Sequence, residues 1–281
     1  MASRPTSVKS SSPEDEFYNN LTLNLIQFLN NIPRITSVTL HKQQPCERTA
    51  VATFEQRHNV FLPDDMKRFY LSTDGFTLHW CYSYAPNVVR RVGYINFPHL
   101  MQITLLRDYL ELIHMNSSSS SPHAKKSPSS NDHRNVDKTS QQPNLNLRSK
   151  IFELSSILDV AKVCLVYETL ESVSPKIYLL ETQSNKWQFL ADSFTEYLRM
   201  CIAHLGLPYW ELCFAHTCHL PSWAEQLFLL LAPHLLERNS NEAQSNRLLP
   251  CPEEPVVYNE LDLSIFRTKP KCSKQTNKFN K

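Results

Sequence analysis

The sequence predicts an α/β fold of the α+β type, in which a mixed, largely antiparallel sheet is flanked by helices. A short helix closed at both ends leads into an aromatic strand within residues 60–80, and four short apolar runs follow one another between residues 150 and 192. With 41% hydrophobic residues, the 281-residue chain can bury a core. We expect one folded domain over residues 16–236, with a disordered insertion at about 116–148, a disordered N-terminus (1–15) and a disordered, basic C-terminal tail (237–281).

Residues 60–80 are predicted to form a strand–helix–strand unit that serves as a packing core. Pro63 suits the first helical position, and Asp64 and Asp65 place negative charge in the first turn. Gly75 can adopt the left-handed conformation that ends the helix. The apolar face of the helix and the aromatic face of the next strand contain Met66, Phe69, Tyr70, Phe76, Leu78, Trp80, Tyr82 and Tyr84.

The elements before this unit follow from apolar periodicity. Residues 17–31 have helical spacing, and Pro33 ends that predicted helix. Residues 35–40 are typical of a short strand, and residues 51–59 of a second helix. We therefore expect helix, strand and helix ahead of the central unit.

Beyond the central unit, Val88–Phe97 is predicted to be a strand interrupted by Gly93, and residues 100–115 an amphipathic helix. The insertion at 116–148 is rich in serine and polar residues and has too few apolar side chains to order itself. Its basic and Ser-Pro positions, which could attract nucleic acid or a proline-directed kinase, are Ser121, Lys125, Lys126 and Ser127. A solvated insertion is the favoured interpretation.

The four apolar runs between residues 150 and 192 predict an antiparallel meander. Asp192 and Ser193 then provide caps for a helix that continues to Leu205 and is stopped by Gly206 and Pro208. A final helix is expected over residues 221–236. Its inward face is predicted to contain Trp223, Leu227, Leu230 and Leu231.

Composition argues against several classes of protein. The chain has only three glycines, Gly75, Gly93 and Gly206, too far apart to build a Walker loop or a dinucleotide fingerprint, so no cofactor is expected. The first residues are polar, and no apolar run approaches membrane-spanning length. The eight scattered cysteines are interpreted as reduced, mostly buried thiols.

Two side-chain groups raise the alternative of an enzyme. Cys213, His216, Cys218 and His219 could ligate zinc in a metal-dependent hydrolase, although their spacing does not match the usual zinc sites and buried thiols are favoured.

A second group of titratable residues could act in acid–base catalysis. Asp64 and Asp65, together with Glu55, His58 and His79, lie near one another in sequence. Adjacent helical residues diverge by about 100°, however, so charge at a helix start explains the aspartates better.

The C-terminal end is a cluster of cations without a carboxylate. Its members are Arg267, Lys269, Lys271, Lys274, Lys278 and Lys281. Such a segment can bind an acidic surface with salt-sensitive affinity, and a solubilising role is an equal alternative. Together with Lys125 and Lys126 it also leaves open a nucleic-acid-binding adaptor, although the formal net charge of +2 gives that reading little support.

Within the central unit, one motif resembles the SUKH superfamily, which includes fungal cell-wall assembly regulators and bacterial immunity proteins. The residues that carry the resemblance are Leu62, Pro63, Asp64, Asp65, Phe69, Tyr70, Asp74, Gly75 and Phe76. Asp74 stands where the superfamily usually has asparagine, a substitution that the turn tolerates.

Further segments extend the resemblance, over roughly residues 21–233, to the family of tubulin polyglutamylase complex subunit 2 proteins. They include Glu47-Arg48, Trp80, residues 151–154, 162–167, 187–190, 192–195 and 204–210, the last ending at Trp210. The insertion and both tails lie outside this resemblance.

The resemblance implies a non-catalytic adaptor subunit. In that family, glutamate chains are added to tubulin by a separate ATP-dependent ligase subunit of the tubulin tyrosine ligase-like type. It implies other complex subunits and tubulin or microtubules as partners, no membrane, and a location in the cytoplasm and cytoskeleton, at microtubules or in the centrosome or basal body region. No catalytic, cofactor-binding or metal residue is assigned. The SUKH motif residues with Trp80 and Trp210 become candidates for partner binding, and the terminal cations candidates for binding acidic tubulin tails.

Overall fold

The protein is described by a computed structural model over residues 12–106, 142–169, 174–236 and 265–266. Its strands form two antiparallel sheets, so the α+β class is confirmed, with two sheets in place of the one expected. The first sheet has the order β1 (Ile35–Lys42), β2 (Phe76–Ala85), β3 (Val88–Phe97). The second has the order β4 (Thr104–Leu105), β5 (Lys150–Ile157), β6 (Ala161–Tyr167), β7 (Lys176–Glu181), β8 (Lys186–Ala191), and its last four strands are the predicted meander.

Six α-helices accompany the sheets in the described part of the chain. They are α1 (Pro13–Leu21), α2 (Leu25–Asn31), α3 (Arg48–His58), α4 (Asp64–Ser72), α5 (Phe194–Ala203) and α6 (Ser222–Leu231). Helix α1 begins at Pro13 because Ser12 and Asp15 form a reciprocal capping box there.

The prediction of one helix over residues 17–31 is wrong, because the chain breaks between α1 and α2. Leu23 and Asn24 have left-handed backbone conformations, with φ of 51° and 60°. The Thr22 hydroxyl donates to the Tyr18 carbonyl at 2.8 Å and ends the last turn of α1. Phe17, Leu21, Leu25 and Leu29, which suggested a single helix, are nevertheless buried, whereas Phe28 is 55% exposed.

The β2–β3 hairpin buries the predicted aromatic face. Phe76, Leu78, Trp80 and Tyr82 are buried, whereas Tyr84 near the hairpin turn is exposed. Gly93 lies opposite Trp80, and a Cβ at that position would overlap the indole ring. The pairing also shifts register there, as expected where a glycine lets a large side chain lie across the strand.

Two further element predictions are corrected. Residues 60–62 are not a strand; they form an irregular segment between α3 and α4. Residues 100–115 do not begin a helix: Leu100–Gln102 is one 3-10 turn, followed by β4, which pairs with β5. Pairing of β4 with a strand about fifty residues away overrides the local helical periodicity. The rest of that predicted helix lies outside the described residues.

The last helix also differs from its prediction. Helix α6 ends at Leu231, and Ala224, Leu227 and Phe228 form its buried face. Trp223 is 51% exposed and Leu230 is exposed as well, because they lie away from that face. No helix of the described residues is long and apolar enough to cross a bilayer.

One hydrophobic core joins both sheets and all six helices. Phe266, within the range assigned to the tail, returns to this core and is only 4% exposed. Its ring lies 6.1 Å from that of Phe69 in α4. A smaller cluster covers the other face of the second sheet and contains Ile151, Cys164, Val166, Tyr178, Leu180 and Trp187.

Candidate functional site

Asp65 joins the starts of two helices. Its Oδ2 accepts hydrogen bonds from the Thr195 backbone N–H (2.9 Å) and hydroxyl (2.7 Å), and its Oδ1 accepts from the Met66 N–H (2.8 Å). Thr195 lies in the first turn of α5, where backbone N–H groups lack intrahelical partners. A carboxylate at two helix N-termini is stabilised by both helix dipoles, so Asp65 holds α4 and α5 together.

Asp74 has a similar structural role at the end of α4. Its carboxylate accepts from the Leu100 N–H (2.8 Å) and lies 3.2 Å from the His99 Nδ1. Gly75 has φ of 84°, and a Cβ there would overlap the Phe97 carbonyl. The Asp-Gly turn of the SUKH motif therefore connects α4 and β2 to the segment after β3.

Most of the predicted partner-binding side chains are core residues. Leu62, Phe69, Tyr70, Phe76, Trp80 and Trp210 are buried. The Tyr70 hydroxyl donates to the Pro98 carbonyl at 3.1 Å, and the Trp80 Nε1 donates to the Leu205 carbonyl at 2.9 Å. These side chains fix the scaffold, whereas Asp64 is exposed.

Phe61, immediately before the motif, is the exposed aromatic that sequence reasoning missed. It is 77% exposed, although the Tyr167 hydroxyl donates to its carbonyl at 2.8 Å and holds its backbone. Phe61 lies between Val60 and Leu62, which are both buried. In an extended segment, a side chain between two inward-pointing neighbours points outward, and this alternation was the signal available in the sequence.

Beside Phe61 lies a surface depression of about 810 Å³ between the starts of α4 and α5, here named the α4–α5 surface. It is lined by Phe61, Leu62, Pro63, Asp64, Asp65, Lys67, Ser174, Pro175, Asp192, Ser193, Thr195, Glu196 and Arg199. Four of these are carboxylates and two are cations, and Lys67 forms an ion pair with Glu55 at 2.9 Å. The surface is therefore acidic, with an exposed aromatic at its edge.

The candidate acid–base residues do not converge. Glu55 accepts from the Leu62 N–H and pairs with Lys67. His58 packs against Phe54 and Phe152, at ring distances of 4.6 and 5.2 Å.

His79 lies elsewhere, on β2, where its ring stacks on His41 at 5.1 Å. Burial, with Arg91 and His41 nearby, lowers the pKa of His79. Glu55, His58, Asp65 and His79 therefore serve separate structural contacts, and Asp64 is exposed.

The Cys213–His219 segment is organised by Glu181 in β7. This buried carboxylate accepts from the backbone N–H groups of His216 (2.5 Å) and Thr217, and from the Thr217 hydroxyl. Burial alone would raise the pKa of Glu181, but these hydrogen bonds outweigh it and lower the pKa. Within the described ranges, no three His, Cys, Asp or Glu side chains are grouped as metal ligands.

The buried thiols are poorly suited to nucleophilic chemistry. Burial raises the pKa of Cys46 and of Cys213 to about 11, and it also raises the pKa of Cys164 and of Cys201. The nucleophile in thiol chemistry is the thiolate. These four side chains therefore stay protonated at neutral pH and act as small apolar groups.

A second missed residue, Glu211, is a buried acid in the 3-10 segment Trp210–Phe214. It is 7% exposed, and it accepts a hydrogen bond from the Tyr197 hydroxyl at 3.3 Å. Burial raises its pKa to about 7, against the opposing effect of hydrogen bonds. A single glutamate in an apolar run gave no sequence signal of this role.

The terminal cations, from Arg267 to Lys281, lie outside the described residues, as do Ser121, Lys125, Lys126 and Ser127. Binding of acidic tubulin tails or of nucleic acid by these positions stays a prediction.

A family profile and the related proteins place the chain in the same family. The profile of the SMI1 / KNR4 family (SUKH-1) matches residues 45–200, which span α3 to α5 and contain the Asp65 and Asp74 contacts. Tubulin polyglutamylase complex subunit 2 of Homo sapiens is 32% identical, covering 89% of this chain and 79% of the relative. The rat and mouse proteins of the same name are each 30% identical, covering 89% of this chain and 81% of the relative. No solved structure matches the chain. The chain therefore belongs to the tubulin polyglutamylase complex subunit 2 family and carries an SMI1/KNR4 (SUKH-1) domain.

Proposed function

We propose that this chain is a non-catalytic adaptor subunit of a tubulin polyglutamylase complex. In this role it supports the ATP-dependent addition of glutamate chains to tubulin by a partner ligase subunit of the tubulin tyrosine ligase-like type. The names of its relatives support membership of such a complex. The proposed location follows from the substrate: the cytoplasm, at microtubules and in the centrosome or basal body region.

The α4–α5 surface carries the adaptor proposal. An aromatic side chain that is 77% exposed beside a group of carboxylates is typical of a binding surface, because exposed aromatics anchor protein interfaces. The surface lies at the family motif, yet the motif's own apolar residues are buried. The proposed partner is another subunit that offers an apolar pocket for Phe61, rimmed by basic side chains.

The absence of an assigned catalytic residue is consistent with this role. The three glycines of the chain are far apart in sequence, Asp65 and Asp74 are engaged at helix and turn ends, and burial keeps the described inner thiols protonated. An ATP-dependent ligase needs a site for nucleotide phosphates and metal ions, which we assign to the partner.

A matched pair of surface substitutions tests the proposal. Phe61→Ser should reduce co-purification with a tubulin tyrosine ligase-like subunit and tubulin by about tenfold, because it removes an interface anchor. Leu147→Ser is the control, since Leu147 is equally exposed and lies away from the α4–α5 surface. Both variants should keep the wild-type unfolding midpoint. A chain that stays alone in native extracts would contradict the adaptor role. Equal co-purification with the two variants would show that the α4–α5 surface does not bind the partner.

A further inference from the structure

Two sheet edges border one cleft on another side of the molecule. The cleft has a volume of about 700 Å³, and we name it the β3–β5 cleft. Its lining includes residues 153–157 of β5 and, from β3, Arg91, Val92, Tyr94, Ile95 and Asn96. Strand β3 is an edge of the first sheet, since it pairs only with β2 among the described strands. Strand β5 pairs with β4 only at Phe152 and Glu153, so its later residues extend beyond that neighbour.

The outer edge of β3 is open over part of its length. The Tyr94 N–H donates to the Gly206 carbonyl at 2.7 Å, which covers the second half of the strand. From Val88 to Val92, no residue of the described ranges other than those of β2 pairs with the β3 backbone. The side chains of Val88 and Val89 are exposed there. An open edge of this kind can bind another extended chain through backbone hydrogen bonds.

One of the carboxylates that line the cleft has no ion-pair partner among the described residues. Three charged side chains line it: Arg91, Glu153 and Glu211. Glu153 is paired with Lys162 at 2.6 Å. Glu211 is buried and takes part in no ion pair among the described residues, and the Tyr197 hydroxyl donates a hydrogen bond to it. A buried carboxylate without a cation is costly to ionise, and a positive side chain entering the cleft would favour its ionised form by pairing with it.

Aromatic side chains form the rim of the cleft. Tyr94 is 52% exposed and Trp223 is about equally exposed, and the Trp223 ring contacts that of Tyr209 edge-on at 5.7 Å. All three line the cleft. Exposed aromatics suit both the aliphatic stem and the charged end of a lysine or arginine. The rim therefore complements the acid at the inner end.

We propose that the β3–β5 cleft binds an extended segment of a partner protein, which adds a strand to the open edge of β3 and places a lysine or arginine side chain beside Glu211. This site is separate from the α4–α5 surface and its occupant has a different chemistry. The backbone pairing supplies a register, and the cation beside Glu211 selects which segment is bound.

A pair of short blocked peptides tests the inference on the full chain. Both peptides alternate valine and threonine, and one has a central arginine where the other has citrulline, which keeps the shape and removes the charge. The arginine peptide should slow hydrogen exchange at the amides of residues 88–92 and bind about tenfold more tightly than the citrulline peptide. Glu211→Gln should abolish that preference, whereas Glu225→Gln, at an exposed position outside the cleft, should retain it.

Equal binding of the two peptides, or protection elsewhere on the protein, would overturn the inference. So would self-association of the chain that protects residues 88–92, because the occupant would then be a second copy. Hydrogen exchange of the chain in its co-purified complex gives a second measurement: slower exchange at residues 88–92 supports the inference. Unchanged exchange there, in a complex that Phe61→Ser still disrupts, would overturn the cleft site and leave the proposed function standing.

Discussion

Glu211 makes the stability of the protein depend on pH. Its carboxyl group lies near Tyr197, Cys201 and Cys213, all of which burial keeps protonated by raising their pKa values. Burial raises the pKa of Glu211 from 4.5 to about 7, so the folded state binds this proton more tightly than the unfolded chain. The resulting stabilisation of the protonated form is complete below pH 4.5 and is lost as the pH rises towards and past 7.

Glu211→Gln should therefore stabilise the protein at alkaline pH. The amide keeps an acceptor for the Tyr197 hydroxyl and never ionises. Urea denaturation gives the difference in the free energy of unfolding between the variant and wild type. This difference should be up to about 3 kcal/mol larger, in favour of the variant, at pH 8 than at pH 5. Glu225→Gln provides the control, because it makes the same substitution at an exposed position. If Glu211→Gln changed the free energy of unfolding equally at both pH values, Glu211 would not be the source of the pH dependence.

At the scale of elements, Asp65 links α4 to α5 across a sequence separation of 130 residues. Asp65→Asn should lower the free energy of unfolding by about 1–3 kcal/mol, because it weakens two hydrogen bonds to Thr195 that a carboxylate accepts. Asp64→Asn is the matched control: its side chain is exposed at the same helix start, so a change within about 0.5 kcal/mol is expected. Urea titrations at pH 7 measure both. Equal losses for the two variants would show that helix-start charge, and not the link to α5, is the cause.

The elements that the sequence predicts well are those whose pattern is local. Strand β2 follows from an alternating aromatic run, β3 and the β5–β8 meander follow from short apolar runs, and α4 follows from its charged start and its Asp-Gly end. Residues 100–105 escaped prediction, because the Asp74 carboxylate holds the Leu100 N–H and β5 pairs with β4. The break at Thr22 escaped it because both helices continue the same apolar period.

The candidate sites were harder to predict than the fold. The SUKH motif lies beside the proposed α4–α5 surface, but its apolar residues are recognisable because they build the core, and their buried side chains hold the scaffold together. Phe61 becomes a candidate only because its side chain is exposed, and Glu211 only because its side chain is buried. Those properties depend on contacts between distant segments, such as that of Tyr167 with Phe61 and of Tyr197 with Glu211.

At the scale of the whole molecule, Phe266 attaches a part of the chain that is distant in sequence to the hydrophobic core. Its buried ring lies against Phe69 in the same helix that begins with Asp64 and Asp65. Residues 267–281 follow Phe266 directly in sequence. Six cations and no carboxylate occur in those residues. A deletion that begins after Phe266 therefore tests the proposed tubulin contact without removing a side chain of the core.

Deleting residues 267–281 should weaken binding to microtubules without affecting the fold. Microtubule pelleting should fall at low salt and differ little at high salt, because contacts between exposed lysines and acidic tubulin tails are screened. The unfolding midpoint should not change, since Phe266 is retained. Phe266→Ala should instead lower the free energy of unfolding by about 3–5 kcal/mol, the usual cost of emptying a buried aromatic site, while leaving the tail in place. Unchanged pelleting of the deletion variant at low salt would reduce the tail to a solubilising segment.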